Sequence, residues 1–207
     1  MLFEQAPVSS SQQVHESLFE SGFQWVNQRC SDQGLSEGIR YLQQVQKLAI
    51  DPGMINVLEN LRDRQVICTW IGENIPVVNA RLNQCLQACQ DCFYPQERRS
   101  AQIFAVPLAQ SFQIDGLCNL QTRPYSILID VGRVPSSDWM AIVAHEYAHA
   151  QVGNPGHDIT YAQVLAHLCL GLGLEAIDWE HVTESRLRHW PPYTPKTDPL
   201  AFWRGME

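Results

Sequence analysis

Apolar residues recur at three- and four-residue steps through the first half of the chain. Residues 11–20, 35–48 and 53–63 keep this spacing, as in Ile39, Leu42, Val45 and Leu48, which is the period of a helix with one buried face. Asp51-Pro52-Gly53 breaks the second stretch from the third. Pro76 suits the first turn of a further helix running to about Cys92, because a first-turn residue has no use for the N–H that proline lacks. Phe93-Tyr94-Pro95 ends that helix and divides a helical region, 1–95, from a second region, 96–207.

Past that division the pattern shortens. Ile103-Phe104-Ala105-Val106 and the run from Ser126 to Val131 are rich in β-branched residues and bounded by Pro and Gly, which reads as strand. Two helices follow, over about 137–152 and 158–171, separated by Gly153-Asn154-Pro155-Gly156. Ser136 or Ser137 suits the N-cap of the first, with Asp138 in its first turn. The tail from Arg186 holds Pro191, Pro192, Pro195 and Pro199 and is expected to be irregular, packed by Trp190, Phe202 and Trp203. The expected fold class is α+β: an N-terminal helical region, a small sheet and a metal-binding helix pair, together one compact unit.

Composition narrows the function classes. With 45% hydrophobic and 17% charged residues in 207, the chain can bury a sizeable core. A net charge of −8 disfavours nucleic-acid binding, which draws its affinity from a basic surface. No apolar run reaches the roughly 18 residues of a membrane span. The first twenty residues lack the basic start and apolar stretch of a secretory signal, so the expected location is cytoplasmic. Seven cysteines cannot all pair within one chain, and reduced thiols are the simpler expectation.

The chemistry concentrates in His145-Glu146-Tyr147-Ala148-His149. Histidines four apart project from one helix face and can meet one ion, while Glu146 lies beside that face without being a ligand. The flanking residues are apolar nearly all round, so the helix is expected to be buried. Buried imidazoles and a carboxylate are costly unless something pairs with them, and a divalent cation does so directly. The competing expectation is that ordinary core partners satisfy these histidines.

A catalytic zinc site takes three protein ligands. His157 follows the Gly-Asn-Pro-Gly turn, which can double the chain back toward the ion; Glu175, Glu180, Glu184, His167 and His181 are its rivals. His167 lies in an apolar stretch and also reads as a satisfied core histidine. Asp158 either caps the following helix or hydrogen-bonds a metal-bound imidazole. Glu146 is placed to take a proton from water and return it to a leaving amine, so the expected reaction is hydrolysis of a peptide or protein substrate. A second electrophile is expected for the oxyanion, with Tyr161, Tyr125 and Arg123 as open candidates. An extended peptide is expected to add to the strand near Ser126 to Val131.

His145-Glu146-Tyr147-Ala148-His149, the short Gly-containing spacer, His157-Asp158 and Tyr161 together resemble the SprT-like and WLM-type zinc peptidases over about residues 100–172. That resemblance implies a zincin-type helix pair, one zinc ion per chain, and proteolysis of DNA-associated proteins, a substrate the acidic balance does not support. The chain departs from the metzincin pattern, since Gly153 and His157 fall later than it requires and Met206 is the only methionine downstream. The alternative function is a non-proteolytic zinc-binding module whose helical N-terminal half binds a protein partner. A third is a helical interaction protein with a chance motif.

Cys85, Cys89 and Cys92 continue the helix face of Val78 and Leu82, as small buried hydrophobes would. Their spacing also fits a second metal site completed by Cys118 or Cys68.

Overall fold

The computed structural model describes residues 32–55 and 61–206. Residues 32–46 form helix α1. The other helices are α2 (Leu61–Asp91), α3 (Trp139–Val152), α4 (Ile159–Leu172), α5 (Glu184–Arg188) and α6 (Pro199–Trp203). Three strands, β1 (Ala101–Ala105), β2 (Gly116–Asn119) and β3 (Tyr125–Ile129), make one sheet in the order β1-β3-β2. β1 runs parallel to β3 and β2 antiparallel to it. The class is α+β, as expected. The helix expected over 11–20 lies outside the described residues. Of the helix expected over 53–63, Pro52–Met54 form a single 3-10 turn, 56–60 lie outside the described residues, and 61–63 belong to α2.

Pro76 does not start a helix; it lies inside α2. A proline there costs about 3 kcal/mol. The helix continues because one buried face runs through the break: Ile67, Cys68, Ile71 and Ile75 before it, Val78, Leu82, Cys85, Leu86 and Cys89 after it. Each buried aliphatic side chain contributes about 1.5–3 kcal/mol, so the face outweighs the proline. α1 crosses α2 at backbone contact. A Cβ on Gly38 would stand 1.8 Å from the Cys68 carbonyl oxygen, and one on Gly72 would stand 1.9 Å from that of Gly34.

β3 is the middle strand, buried from Ser126 to Ile129, and both its edges are paired. The expected peptide docking along Ser126 to Val131 is therefore corrected, because those backbone groups already bond to β1 and β2. β2 was not anticipated: Gly-Leu-Cys-Asn has no β-branched residue, and pairing with β3 forms it. It is an edge strand.

The tail is less irregular than expected, holding α5 and α6, and it is tied to the body through Asp130. That buried carboxylate accepts from Leu108 N, Gly132 N, Arg133 Nε and Trp203 Nε1 at 2.9–3.1 Å. Burial still pushes its pKa up to about 6. Trp203 is fully buried, and Trp70 packs edge-on against both Phe202 and Trp203. No described helix is long and apolar enough to cross a membrane.

Candidate metal centre

α3 passes between α2, α4 and the sheet, and every residue from Ala141 to Ala150 is buried. Neither Ser136 nor Ser137 caps it. Asp138 takes the cap position without a side-chain bond and accepts from Ser137 Oγ instead. Tertiary packing of an apolar segment stabilises α3 more than its cap does. Gly153, at φ 75°, ends the helix in the left-handed conformation, with its N–H bonded to the His149 carbonyl.

From there Asn154 organises the return. Its side-chain oxygen accepts from Gly156 N at 2.9 Å and its amide donates to Asp158 Oδ2 at 3.2 Å. Its carbonyl lies 3.0 Å from His149 Nδ1. This contact places the ring proton on Nδ1 and leaves the Nε2 lone pair of His149 free. The turn delivers His157 with its Nε2 3.3 Å from His145 Nε2. Two nitrogens bound tetrahedrally to one zinc at ~2.0–2.1 Å stand about 3.3–3.4 Å apart, so this pair already has the required spacing.

The ligand atoms of His145, His149 and His157 all lie within 4.8 Å of one another, and no other described group of three or more His, Cys, Asp or Glu is so arranged. Burial lowers all three pKa values, that of His149 to about 4 and that of His145 well below its usual range. The imidazoles are thus neutral at pH 7, the state a metal requires. His145 Nδ1 is the one buried side-chain nitrogen or oxygen among the described residues with no hydrogen-bond partner, although the Trp190 backbone lies close enough to favour the charged ring. His145 would hold an ion through Nε2 with its proton on Nδ1, facing that backbone. The donor set therefore fits a divalent cation.

Glu146 is 5% exposed, and its pKa is pushed up to about 8, by burial first and then by the charge of Asp115. Its carboxylate rests on β2: a Cβ on Gly116 would stand 2.9 Å from Glu146 Oε1 and 3.2 Å from its Cγ. Asp115, just before that strand, accepts a short hydrogen bond from Tyr193 and faces Arg133 at 3.9 Å. Gly116, Asp115 and Tyr193 were not identified from the sequence. The only trace of them there is Asp115-Gly116, which reads as a turn rather than a strand start.

Tyr161 is fully buried, donates to the His145 carbonyl at 3.3 Å, and has its ring centroid 4.5–5.5 Å from all three imidazoles. It braces the ligands and leaves no hydroxyl for an oxyanion. Arg123 stacks on Tyr125 and donates to the Leu120 and Thr122 carbonyls, so its guanidinium is committed to the β2–β3 turn. Asp158 caps α4 by accepting from Tyr161 N at 3.0 Å. His167 is exposed rather than in the core, its Nε2 2.8 Å from the Cys92 carbonyl. His181 pairs with Asp178 and Glu184 with Arg188, both on the surface. Glu175 and Glu180 are exposed as well.

Cys85 and Cys89 are buried on α2, and Cys92 is half-buried. Burial raises all three thiol pKa values, which disfavours the thiolate a metal needs. Cys68 is buried at the α1–α2 crossing, while Cys118 stands on β2 near Glu146. Compared with known proteins, the chain matches no family model, no curated protein and no solved structure.

Proposed function

We propose that the protein is a zinc-dependent peptidase of the zincin type, with His145, His149 and His157 holding one zinc ion and Glu146 as general base. The observation that carries this reading is the 3.3 Å approach of two Nε2 atoms within a cluster of three neutral imidazoles, two buried and one half-buried, with the buried Glu146 next to His145 on the same helix. Three neutral nitrogens are the ligand set of catalytic rather than closed structural zinc, leaving a position for water and substrate. Zinc bound there supplies a Lewis acid that lowers the pKa of water toward ~7 and polarises a carbonyl oxygen.

The chain's own groups do the rest. Glu146 takes a proton from the attacking water and gives it to the departing amine. A pKa near 8 in the metal-free chain marks a carboxylate that holds a proton well, and the nearby cation favours its ionised form at the start of the reaction. The Asn154 carbonyl holds His149 by its far nitrogen, and Tyr161 braces the ligand helix. An extended peptide binds along the outer edge of β2, bringing its carbonyl beside Glu146. A purely structural metal site has no use for a buried carboxylate in this place, which disfavours the non-proteolytic module.

The test is hydrolysis of a broad peptide panel by the full chain loaded with zinc, before and after chelation. Cleavage that chelator abolishes and added zinc restores supports the reading. One zinc held with no cleavage leaves the binding module in its place.

A further inference from the structure

His145 and Glu146 are successive residues of α3, and one short piece of the C-terminal segment reaches the surroundings of both. The Trp190 backbone lies against the ring of His145. Three residues on, the Tyr193 hydroxyl donates to Asp115 Oδ2. Asp115 leads directly into Gly116, where a Cβ would stand 2.9 Å from Glu146 Oε1. Between the two contacts stand Pro191 and Pro192, whose rings fix φ, and the Tyr193 N–H bonds back to the Pro191 carbonyl at 3.0 Å. The link between the two contacts is therefore short and stiff.

The start of β2 has little else to hold it. β2 is a four-residue edge strand without a β-branched residue, paired only with β3. The Asp115 carbonyl accepts from Asp130 N at 2.8 Å, which fixes the backbone on one side. On the carboxylate, Arg133 Nη1 stands 3.9 Å from Oδ1, while the same guanidinium is committed to Asp130 Oδ2 at 3.1 Å and to the Leu108 carbonyl at 3.2 Å. Tyr193 supplies the one hydrogen bond to the Asp115 carboxylate among the described residues. The tail does not depend on this bond to dock, because Trp203 is fully buried and donates to Asp130 at 2.9 Å. Burial first, and then the bond to Asp115, raise the Tyr193 pKa, so the phenol remains a donor at neutral pH.

We propose that Tyr193 is a positioning residue of the metal centre: through Asp115 it fixes the start of β2, and with it the Gly116 slot, against Glu146. The proposal rests on the peptidase reading and adds to it a residue from outside the α3–α4 pair. Because the same segment abuts His145 through Trp190, the bond keeps the support of the base in register with the neighbouring metal ligand.

The test uses Tyr193→Phe, which removes the hydroxyl and keeps the ring, and Asp115→Ala, alone and together, in the full chain. In the metal-free protein, hydrogen exchange at the Asp130 amide, which donates to the Asp115 carbonyl, should speed up about tenfold in Tyr193→Phe, with α4 amides unchanged. In the zinc-loaded protein, kcat on a cleaved peptide should fall about tenfold, the loss expected of a ~0.5 Å displacement of the base, with little change in KM or zinc affinity. The double variant should be no slower than Asp115→Ala alone, since without the carboxylate the hydroxyl holds nothing. An active wild type with unchanged exchange or unchanged kcat in Tyr193→Phe overturns this inference alone. A further fall in the double variant also overturns it, and puts the hydroxyl on the substrate instead. No cleavage by wild type overturns the peptidase reading and this inference with it.

Discussion

Replacing Gly116 by Ala adds one methyl group where the Glu146 carboxylate rests. The backbone at Gly116 is not in the left-handed region, so alanine fits the strand conformation and the effect is confined to contacts. The new Cβ would stand 2.9 Å from Glu146 Oε1, 3.2 Å from its Cγ and 3.0 Å from Ile129 Cδ1. An ordinary carbon–oxygen contact is about 3.4 Å, so the carboxylate must retreat by about 0.5 Å or the strand must move. Ile129 can yield at its terminal methyl. Glu146, buried by α3 and the sheet, has less room.

Misplacing a catalytic group by ~1 Å can cost ~100-fold in rate, so half that displacement gives about tenfold in kcat. Overpacking should also lower stability by about 1–3 kcal/mol. Zinc content should stay at one per chain, because no ligand touches the new methyl group. Steady-state kinetics on a cleaved peptide, with metal analysis of the same sample, reads all three quantities. A Gly116→Ala variant with full zinc and unchanged kcat would refute the claim that Glu146 works from this slot.

His157→Ala should lower zinc affinity at least a hundredfold while His167→Ala leaves it unchanged, as metal-competition titration would show; the reverse result would move the third ligand. Wild type should carry one zinc per chain and Cys89→Ala the same, because the buried thiols of α2 are held protonated; elemental analysis giving two metals would contradict this. In the metal-free protein the His149 contribution should weaken the fold as pH falls from about 6.5 to about 4, because unfolded histidines gain protons that the buried ring resists. Its folded pKa of about 4 makes this loss up to about 3 kcal/mol, while Glu146 and Asp130, with raised pKa values, act in the opposite direction. Urea unfolding of wild type and His149→Phe across that range isolates it, and a stability difference between the two that does not change with pH would show that His149 is not held neutral by burial.

The histidine cluster was legible in the sequence because its spacing is local. His145 and His149 follow from one helical turn, and His157 from a turn rich in Gly, Asn and Pro that can only bring the chain back. Asn154 adds a carbonyl for His149 that no motif announces. The sheet was half legible. β1 and β3 carry β-branched runs, but β2 is strand only because β3 lies beside it, and β3's central place depends on a pairing between residues distant in the chain. For the same reason the docking edge was assigned to the wrong strand. Pro76 shows a local rule overruled by burial along the whole of α2. The tail's part in the site was invisible because Trp190 and Tyr193 act through long-range contacts, at His145 and at Asp115.

The most direct test compares wild type with Glu146→Gln, both as full chains loaded with zinc, on one cleaved peptide. Glutamine keeps the shape and a hydrogen bond to water but cannot take up its proton at neutral pH. General-base assistance contributes ~10²–10⁴ in rate, so kcat should fall by at least a hundredfold. Zinc content and unfolding midpoint should stay close to those of wild type, since Glu146 is not a ligand. Cleavage by Glu146→Gln at the wild-type rate, with zinc bound in both, would contradict the claim that this carboxylate is the base of a metal-dependent peptidase.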